Sequence, residues 1–311
     1  MNPDLEFWFA GSGRFGARCF SLLMQRIRFR RVITAIPRPA GRKLAHSVTP
    51  VEMVASAAGV DVSRTLDISG DPVILERLQE EKPFCIFVVD FSQMVREPLL
   101  SLPEPGCLNI HPSMLPAYRG AAPIQRAIMN GENRTGVTVF RLAKEMDSGP
   151  ILVSSQLDIG PDDTFGDLLD LLAVEGSSIA MDGLELLSRG RISFREQDHG
   201  KASFAPRISK QETELSWEKP SRQVHDLVRS LNPDPGSFVL IKGKRLKIWK
   251  TVQCEDTGRP GEILGFRNGD PVIGCGSGSV QLAEVQTEGR KRTDGGSWLR
   301  GTSLEKGDIL E

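Results

Sequence analysis

Phe84-Cys85-Ile86-Phe87-Val88-Val89 is an apolar run with no polar break, following Pro83 and followed by Asp90-Phe91-Ser92-Gln93. A short run of this kind reads as a central parallel strand covered on both faces. The polar residues that end it lie at a strand's carboxyl end, where an open α/β sheet forms its crevice. Working outward, Leu5 to Ala10 and Arg31 to Ile36 are further short apolar strands, and Asp61 to Arg64 suits a fourth. Between them, Ala17 to Ile27, Pro50 to Ala58 and Pro72 to Glu81 carry helical spacing. Strands alternating with helices predict an α/β fold, with a mostly parallel, Rossmann-like sheet for the first part of the chain.

The turn after the first strand, Gly11-Ser12-Gly13-Arg14-Phe15-Gly16, has the form G-x-G-x-x-G. A dinucleotide site also needs an acid about 20 residues on, at the end of the second strand, to hold a ribose. Here Arg31-Val32-Ile33-Thr34-Ala35-Ile36 is followed by Pro37-Arg38-Pro39, with no acid. A phosphorylated ribose on an arginine stays open, but a tight strand-to-helix turn is the favoured reading.

Beyond the link through Pro98 and Pro103, Cys107-Leu108-Asn109-Ile110-His111 is a strand that breaks at Pro112 into a Pro- and Gly-rich loop reaching Gly120. Asn109 and His111 are two apart and therefore share one side of that strand. Asp147, in the turn Met146-Asp147-Ser148-Gly149-Pro150 between two further strands, can reach the same crevice. His46, His199 and His225 have no titratable partner at a telling spacing. Cys107 shares the face of Asn109 and His111 but sits deeper, where burial keeps a thiol inert. Ser113 is the one nucleophile candidate nearby, and it lacks the strained elbow that activates such a serine. An amide and an imidazole aimed at one point suit a developing oxyanion, and a neighbouring carboxylate fixes the ring and assists proton removal. The competing reading is a set of polar residues that cap a loop.

Around Arg189 to Phe204 the pattern dissolves, giving expected divisions of 1–190, a linker at 191–206, and 207–311. The last part begins with a helix at Arg222 to Leu231. It continues in short strands, with a hairpin about Lys242-Gly243-Lys244, which predicts a small β-barrel of OB-like type. The net charge of −1 excludes a generally basic nucleic-acid binder. Residues 206–311 hold 17 Lys and Arg against 15 Asp and Glu, so only local clusters can serve a polyanion. No apolar run reaches the roughly 18 to 20 residues of a membrane span. Five scattered cysteines, never in a C-x-x-C pair, fit a reducing compartment without structural zinc. The acidic start Met1-Asn2-Pro3-Asp4-Leu5-Glu6 has no secretory character, so a cytoplasmic chain is expected.

The run CLNIHPSMLPAYRGAAPIQ at 107–125, with MDSGPIL at 146–152, resembles the signature of the folate-dependent formyltransferases. That signature is Asn-x-His, then Ser-x-Leu-Pro-x-x-Arg-Gly-x-x-Pro, then an Asp-(Ser/Thr)-Gly turn. FAGSGRFG, RPAGRK, FAPRISKQETELSW, NPDPGSF, KIWK, EVQTEGRKRT and WLRG extend the likeness over nearly the whole chain. They are similar to the members of that family that formylate methionine carried on initiator tRNA. The resemblance implies Asn109, His111 and Asp147 as catalytic residues. It implies 10-formyltetrahydrofolate as donor, with no metal, bound by Asp90, Phe91, Ser92, Ser113, Leu115 and Pro116. Methionyl initiator tRNA is the implied partner of a monomer with no membrane association. Its contacts are Arg38, Arg42 and Lys43 in one loop, then Lys242, Lys244, Arg245, Lys247 and Lys250, then Arg290, Lys291 and Arg292. The family commonly has Ala-Tyr-Gly where this chain has Asp90-Phe91-Ser92, and Pro37 stands where an Asp is common. A sugar-nucleotide N-formyltransferase shares the catalytic trio, and a non-enzymatic module could keep the fold. Ile208-Ser209-Lys210, Asn232-Pro233 and Gly289-Arg290-Lys291-Arg292 favour the tRNA substrate.

Overall fold

Phe7 and Phe9 alternate with Trp8 and Ala10 along the first strand, and all four are buried. Both faces of that strand are therefore covered, as the apolar runs predict. In the computed structural model, which describes residues 5–37, 39–40, 45–46, 48–102 and 104–310, the elements follow in this order. They are β1 (Phe7–Ala10), α1 (Arg14–Leu23), β2 (Phe29–Ala35), β3 (Pro39–Ala40), β4 (Ala45–His46), α2 (Pro50–Ala57), β5 (Asp61–Thr65) and α3 (Pro72–Glu81). Next come β6 (Cys85–Val88), β7 (Gly106–His111), α4 (Pro123–Met129), β8 (Arg134–Arg141), β9 (Ile151–Asp158) and α5 (Phe165–Ser188). The chain closes with α6 (Ser221–Ser230), β10 (Ser237–Ile241), β11 (Lys244–Cys254), β12 (Ile263–Arg267), β13 (Asp270–Gly274), β14 (Ser279–Thr287), β15 (Thr293–Asp294) and α7 (Gly295–Arg300).

Seven strands form one sheet in the order β5-β2-β1-β6-β7-β8-β9. The pairings from β5 to β7 are parallel, and β8 runs antiparallel to β7. The chain moves outward from β1 through β2 to β5, then returns to place β6 on the other side of β1. That reversal puts the topological switch point between β1 and β6. On one face Trp8 and Ala10 pack with Ile33, Ile86 and the α3 residues Ile74 and Leu78. On the other, Phe9 and Phe20 have ring centroids 5.0 Å apart, and Phe7 stacks on Phe87 at 6.2 Å. Burying each such aromatic side chain contributes about 1.5–3 kcal/mol relative to leaving it in water.

The chain divides into two compact units, the first being Met1–Gly120, Thr135–Leu157 and Leu169–Phe204. The second is Ala121–Arg134, Asp158–Leu168 and Ala205–Glu311. Thus α4 and the start of α5 pack with the later part of the chain, although they lie among the first 190 residues. Within the second unit an antiparallel sheet runs β10-β11-β14-β13-β12, with β15 beside β14. Its core holds Trp217, Val228, Ile248, Ile263, Leu282 and Val285. The hairpin between β10 and β11 turns on Lys242 (φ 50°) and Gly243 (φ 76°), the pair of positive φ values that a two-residue turn needs. No helix among the described residues is long and apolar enough to cross a membrane, and none of their side chains form a metal-binding group.

Candidate active site

At the carboxyl end of β7, Asn109 pairs with Phe140 of β8 and His111 with Thr138. His111 is 5% exposed and Asn109 is half-buried. The His111 ring lies between two fixed groups. Its Nε2 is 3.0 Å from the Tyr118 carbonyl oxygen, which can only accept, so Nε2 carries the proton. Its Nδ1 is 3.7 Å from Asp147 Oδ2, longer than a hydrogen bond. The same carboxylate oxygen accepts from the Gly120 amide at 2.8 Å. Asp147 itself has φ 50°, so the turn holds a non-glycine residue in the left-handed region. Two positions on, a Cβ at Gly149 would collide with the Arg141 carbonyl, which explains the glycine of that turn. The structure therefore brings Asn109, His111 and Asp147 to one strand end.

Neither nearby nucleophile is available. Ser113 is 1% exposed, and its hydroxyl donates to the Ala117 carbonyl at 2.7 Å. Cys107 lies in the core with its thiol directed at the Leu99 carbonyl, and burial pushes its pKa up to about 12.

The residues expected to hold folate are spread over several places. Leu115 and Ser113 are buried in the loop after β7, where Thr138 ties them: its hydroxyl accepts from the Leu115 amide and donates to the Ser113 carbonyl. Pro116, half-buried in the same loop, has its carbonyl opposite the Ser203 amide at 3.3 Å. Phe91 packs against the apolar cluster that includes Trp8, Ile86, Val95 and Leu99. Ser92 lines a cavity of about 310 Å³ at the carboxyl ends of β2 and β5, with Ile36, Leu66, Gln93, Met94 and Arg96. Asn109, His111 and Asp147 are not in its wall.

Asp90 sits at the switch point with φ 49° and folds back onto the start of α1. Its Oδ2 accepts from the Phe15 amide at 3.1 Å and the Gly16 amide at 3.5 Å. Its own carbonyl accepts from Ser12 and Gly13. A Cβ at Gly13 would overlap the Asp90 carboxylate. Although the residue as a whole is exposed, its carboxylate is crowded into this turn; desolvation pushes its pKa up against the pull of the two amides. The amides that a dinucleotide phosphate would use are occupied by an internal carboxylate. This disposes of the nucleotide reading of G-x-G-x-x-G and explains why glycine is required there.

The residues expected to meet tRNA divide by place. Arg38, Arg42 and Lys43 lie outside the described residues. Lys242, Lys244, Arg245 and Lys250 are exposed on or beside β11, as are Arg290, Lys291 and Arg292 near the end of β14. Several already have intramolecular roles. Lys247 donates to the Pro235 carbonyl at 2.6 Å and lies 4.9 Å from the Trp249 ring, which Arg292 also covers at 3.7 Å. Arg245 covers Phe238 at 4.5 Å. Sequence reasoning assigned no role to Trp249, Arg119 or Gln197. Arg119 lay inside the signature, whereas nothing in the local pattern marked Gln197.

The half-buried Asn109 amide and the His111 imidazole at the end of β7, with the Asp147 carboxylate from the turn after β8, are groups of the kind that can hold a developing oxyanion. Residues 15–183 match the family described as Formyl transferase, and residues 207–303 match Formyl transferase, C-terminal domain. The chain belongs to the formyl transferase family. A methionyl-tRNA formyltransferase of Geobacter metallireducens is 36% identical over 276 residues, 89% of this chain and 88% of that protein. Another from Moorella thermoacetica is 37% identical, over 91% of each. Among solved structures, HypX from Aquifex aeolicus in complex with tetrahydrofolic acid has a TM-score of 0.62 at 20% identity. That match covers 98% of this chain but 50% of HypX, and the likeness is one of fold.

Proposed function

We propose that this protein transfers the formyl group of 10-formyltetrahydrofolate to the amino group of methionyl initiator tRNA, the reaction of a methionyl-tRNA formyltransferase. The observation that carries the chemistry is His111 facing Asp147 at the strand end that carries Asn109, with the Ser113 hydroxyl and the Cys107 thiol both directed at backbone carbonyls. The names and coverage of the curated relatives support the acceptor.

In this mechanism the methionyl amine attacks the formyl carbon, a C–N bond forms, and the carbonyl oxygen becomes an oxyanion. Asn109 donates its amide N–H to that oxygen. His111, anchored through Nε2 to Tyr118, turns Nδ1 toward it, and the Asp147 carboxylate fixes the ring. Asp147 assists removal of the proton from the attacking nitrogen. Collapse breaks the bond from the formyl carbon to the folate nitrogen, which leaves protonated as tetrahydrofolate. Phe91 and Ser92, with the loop carrying Ser113, Leu115 and Pro116, border the donor. Residues 1–190 act as the catalytic domain, 191–206 connect, and 207–311 bind tRNA. There Lys242, Lys244, Arg245, Lys247, Lys250, Arg290, Lys291 and Arg292 meet phosphates. Arg38, Arg42 and Lys43 approach the acceptor arm.

The test is a paired assay with 10-formyltetrahydrofolate, offering methionyl initiator tRNA in one arm and a dTDP- or UDP-amino sugar in the other. Formylation of the tRNA is the expected result. Turnover of the sugar alone would overturn the acceptor and leave the chemistry standing.

A further inference from the structure

Asp147 and His111 come from segments far apart in the chain, yet their separation sets the chemistry. A third segment holds them. Gln197 is 6% exposed, and its Nε2 donates to the Asp147 carbonyl at 2.9 Å and the Gly149 carbonyl at 2.7 Å. Its Oε1 accepts from Arg119 Nη2 at 2.6 Å. Arg119 lies between Tyr118, whose carbonyl anchors His111, and Gly120, whose amide holds the Asp147 carboxylate. The contacts therefore close a ring from Asp147 through Gln197, Arg119, Tyr118 and His111 back to Asp147. The segment around Gln197 is tied at both ends. Arg195 exchanges backbone hydrogen bonds with Ile151 at 2.7 and 2.8 Å, and Ser203 accepts from the amides of Tyr118 and Arg119. All of these residues belong to the first unit.

We propose that Gln197 is a positioning residue for formyl transfer, setting the register of the Asp147 turn against the loop that anchors His111. This rests on the function proposed above. The amide is the one side chain of its size that serves here, because it must donate twice to carbonyls and accept once from a guanidinium. Methionine keeps the volume and loses all three bonds. Glutamate keeps the shape and the acceptor for Arg119, but turns an oxygen toward two carbonyls.

Relative to wild type, Gln197→Met is expected to lower kcat about 10- to 100-fold, with KM for tRNA and donor each within about twofold. In an Asp147→Asn background the same substitution is expected to change kcat by less than about twofold, because the geometry it protects is already without effect. Losses that multiply would overturn the proposal, as would an unchanged kcat in folded protein. If Gln197→Met does not fold, Gln197→Glu is read in its place with the same expectations. A second readout needs no acceptor and separates this proposal from the assignment of tRNA. The ring-nitrogen NMR shifts of His111 are expected to move in the variant, and unmoved shifts would overturn the inference even if wild type proved to formylate a sugar.

Discussion

The end of β7 and the outer face of β11 and β14 are built on opposite plans. At the first, His111, Asp147 and their neighbours are buried or half-buried, and each is held by backbone amides and carbonyls. At the second, Lys244, Arg245 and Lys250 stand exposed on β11, whose Leu246 and Ile248 are buried in the core. The reacting atoms demand positions fixed within a fraction of an ångström, because a small misplacement removes most of the advantage of preorganisation. A phosphate backbone asks only for summed charge at roughly the right distance. Single substitutions should thus act steeply at the first region and gradually at the second.

The sharpest way to break that contrast is to remove one side chain at the β7 end. His111→Ala and Asn109→Ala are each expected to lower kcat by about 100-fold or more, the loss for one oxyanion donor. A variant of either with wild-type kcat would remove the oxyanion assignment. On the basic face the expected losses lie in tRNA affinity. Binding should weaken steeply with salt, and Lys244→Ala combined with Lys250→Ala should lower the slope of log K against log salt by roughly 1.4 to 1.8. Donor binding should hardly change, and equal salt sensitivity in both substrates would count against phosphate contacts.

The same contrast explains what could be read from the sequence. The strand at 84–89, the helix at Pro72–Glu81 and the juxtaposition of Asn109 with His111 follow from local periodicity, which local sequence encodes directly. Asp90 was legible as polar at a strand end, but its partners at Phe15 and Gly16 lie about 75 residues away and leave no local trace. Gln197 lay in a stretch whose Gly, Arg and Asp content resembles a tether, because its bonds to Asp147, Gly149 and Arg119 are all long-range. The short β15 and α7 carry too few residues to display a period. Long-range polar contacts, rather than apolar packing, are what the sequence conceals.

Within the basic face, Arg292 and Lys291 are neighbours with different duties. Arg292 covers the Trp249 ring and approaches Glu284 at 3.7 Å, whereas Lys291 is exposed. Arg292→Ala is expected to cost about 0.5–1 kcal/mol of stability, the value of an exposed cation–π contact, in addition to its loss of tRNA affinity. Lys291→Ala should weaken tRNA binding and leave the unfolding midpoint where it was. Equal stability losses would mean that the stack on Trp249 holds nothing.

The smallest expected effect tests whether exposed charge stabilises the second unit at all. Arg126 pairs with Glu212 at 2.5 Å, and Glu212 also accepts from the Ser209 amide at 2.9 Å. Arg126 first, and the Ser209 amide second, hold the Glu212 carboxyl at about 2, below its ordinary value of 4.5. A folded-state pKa that is depressed stabilises the fold fully above the unfolded value, and that contribution is lost as pH falls from about 4.5 through about 2. Glu212 is exposed, so solvent screening limits the pair to about 0–1 kcal/mol whatever its pKa. Urea unfolding of Glu212→Gln should therefore show a deficit of a few tenths of a kcal/mol at pH 7 that shrinks toward pH 3. A deficit unchanged over that range would assign the stabilisation to the hydrogen bonds with Ser209 instead of to charge. A deficit well above 1 kcal/mol would break the contrast itself, since exposed ions would then be structural here and not free to meet a polyanion.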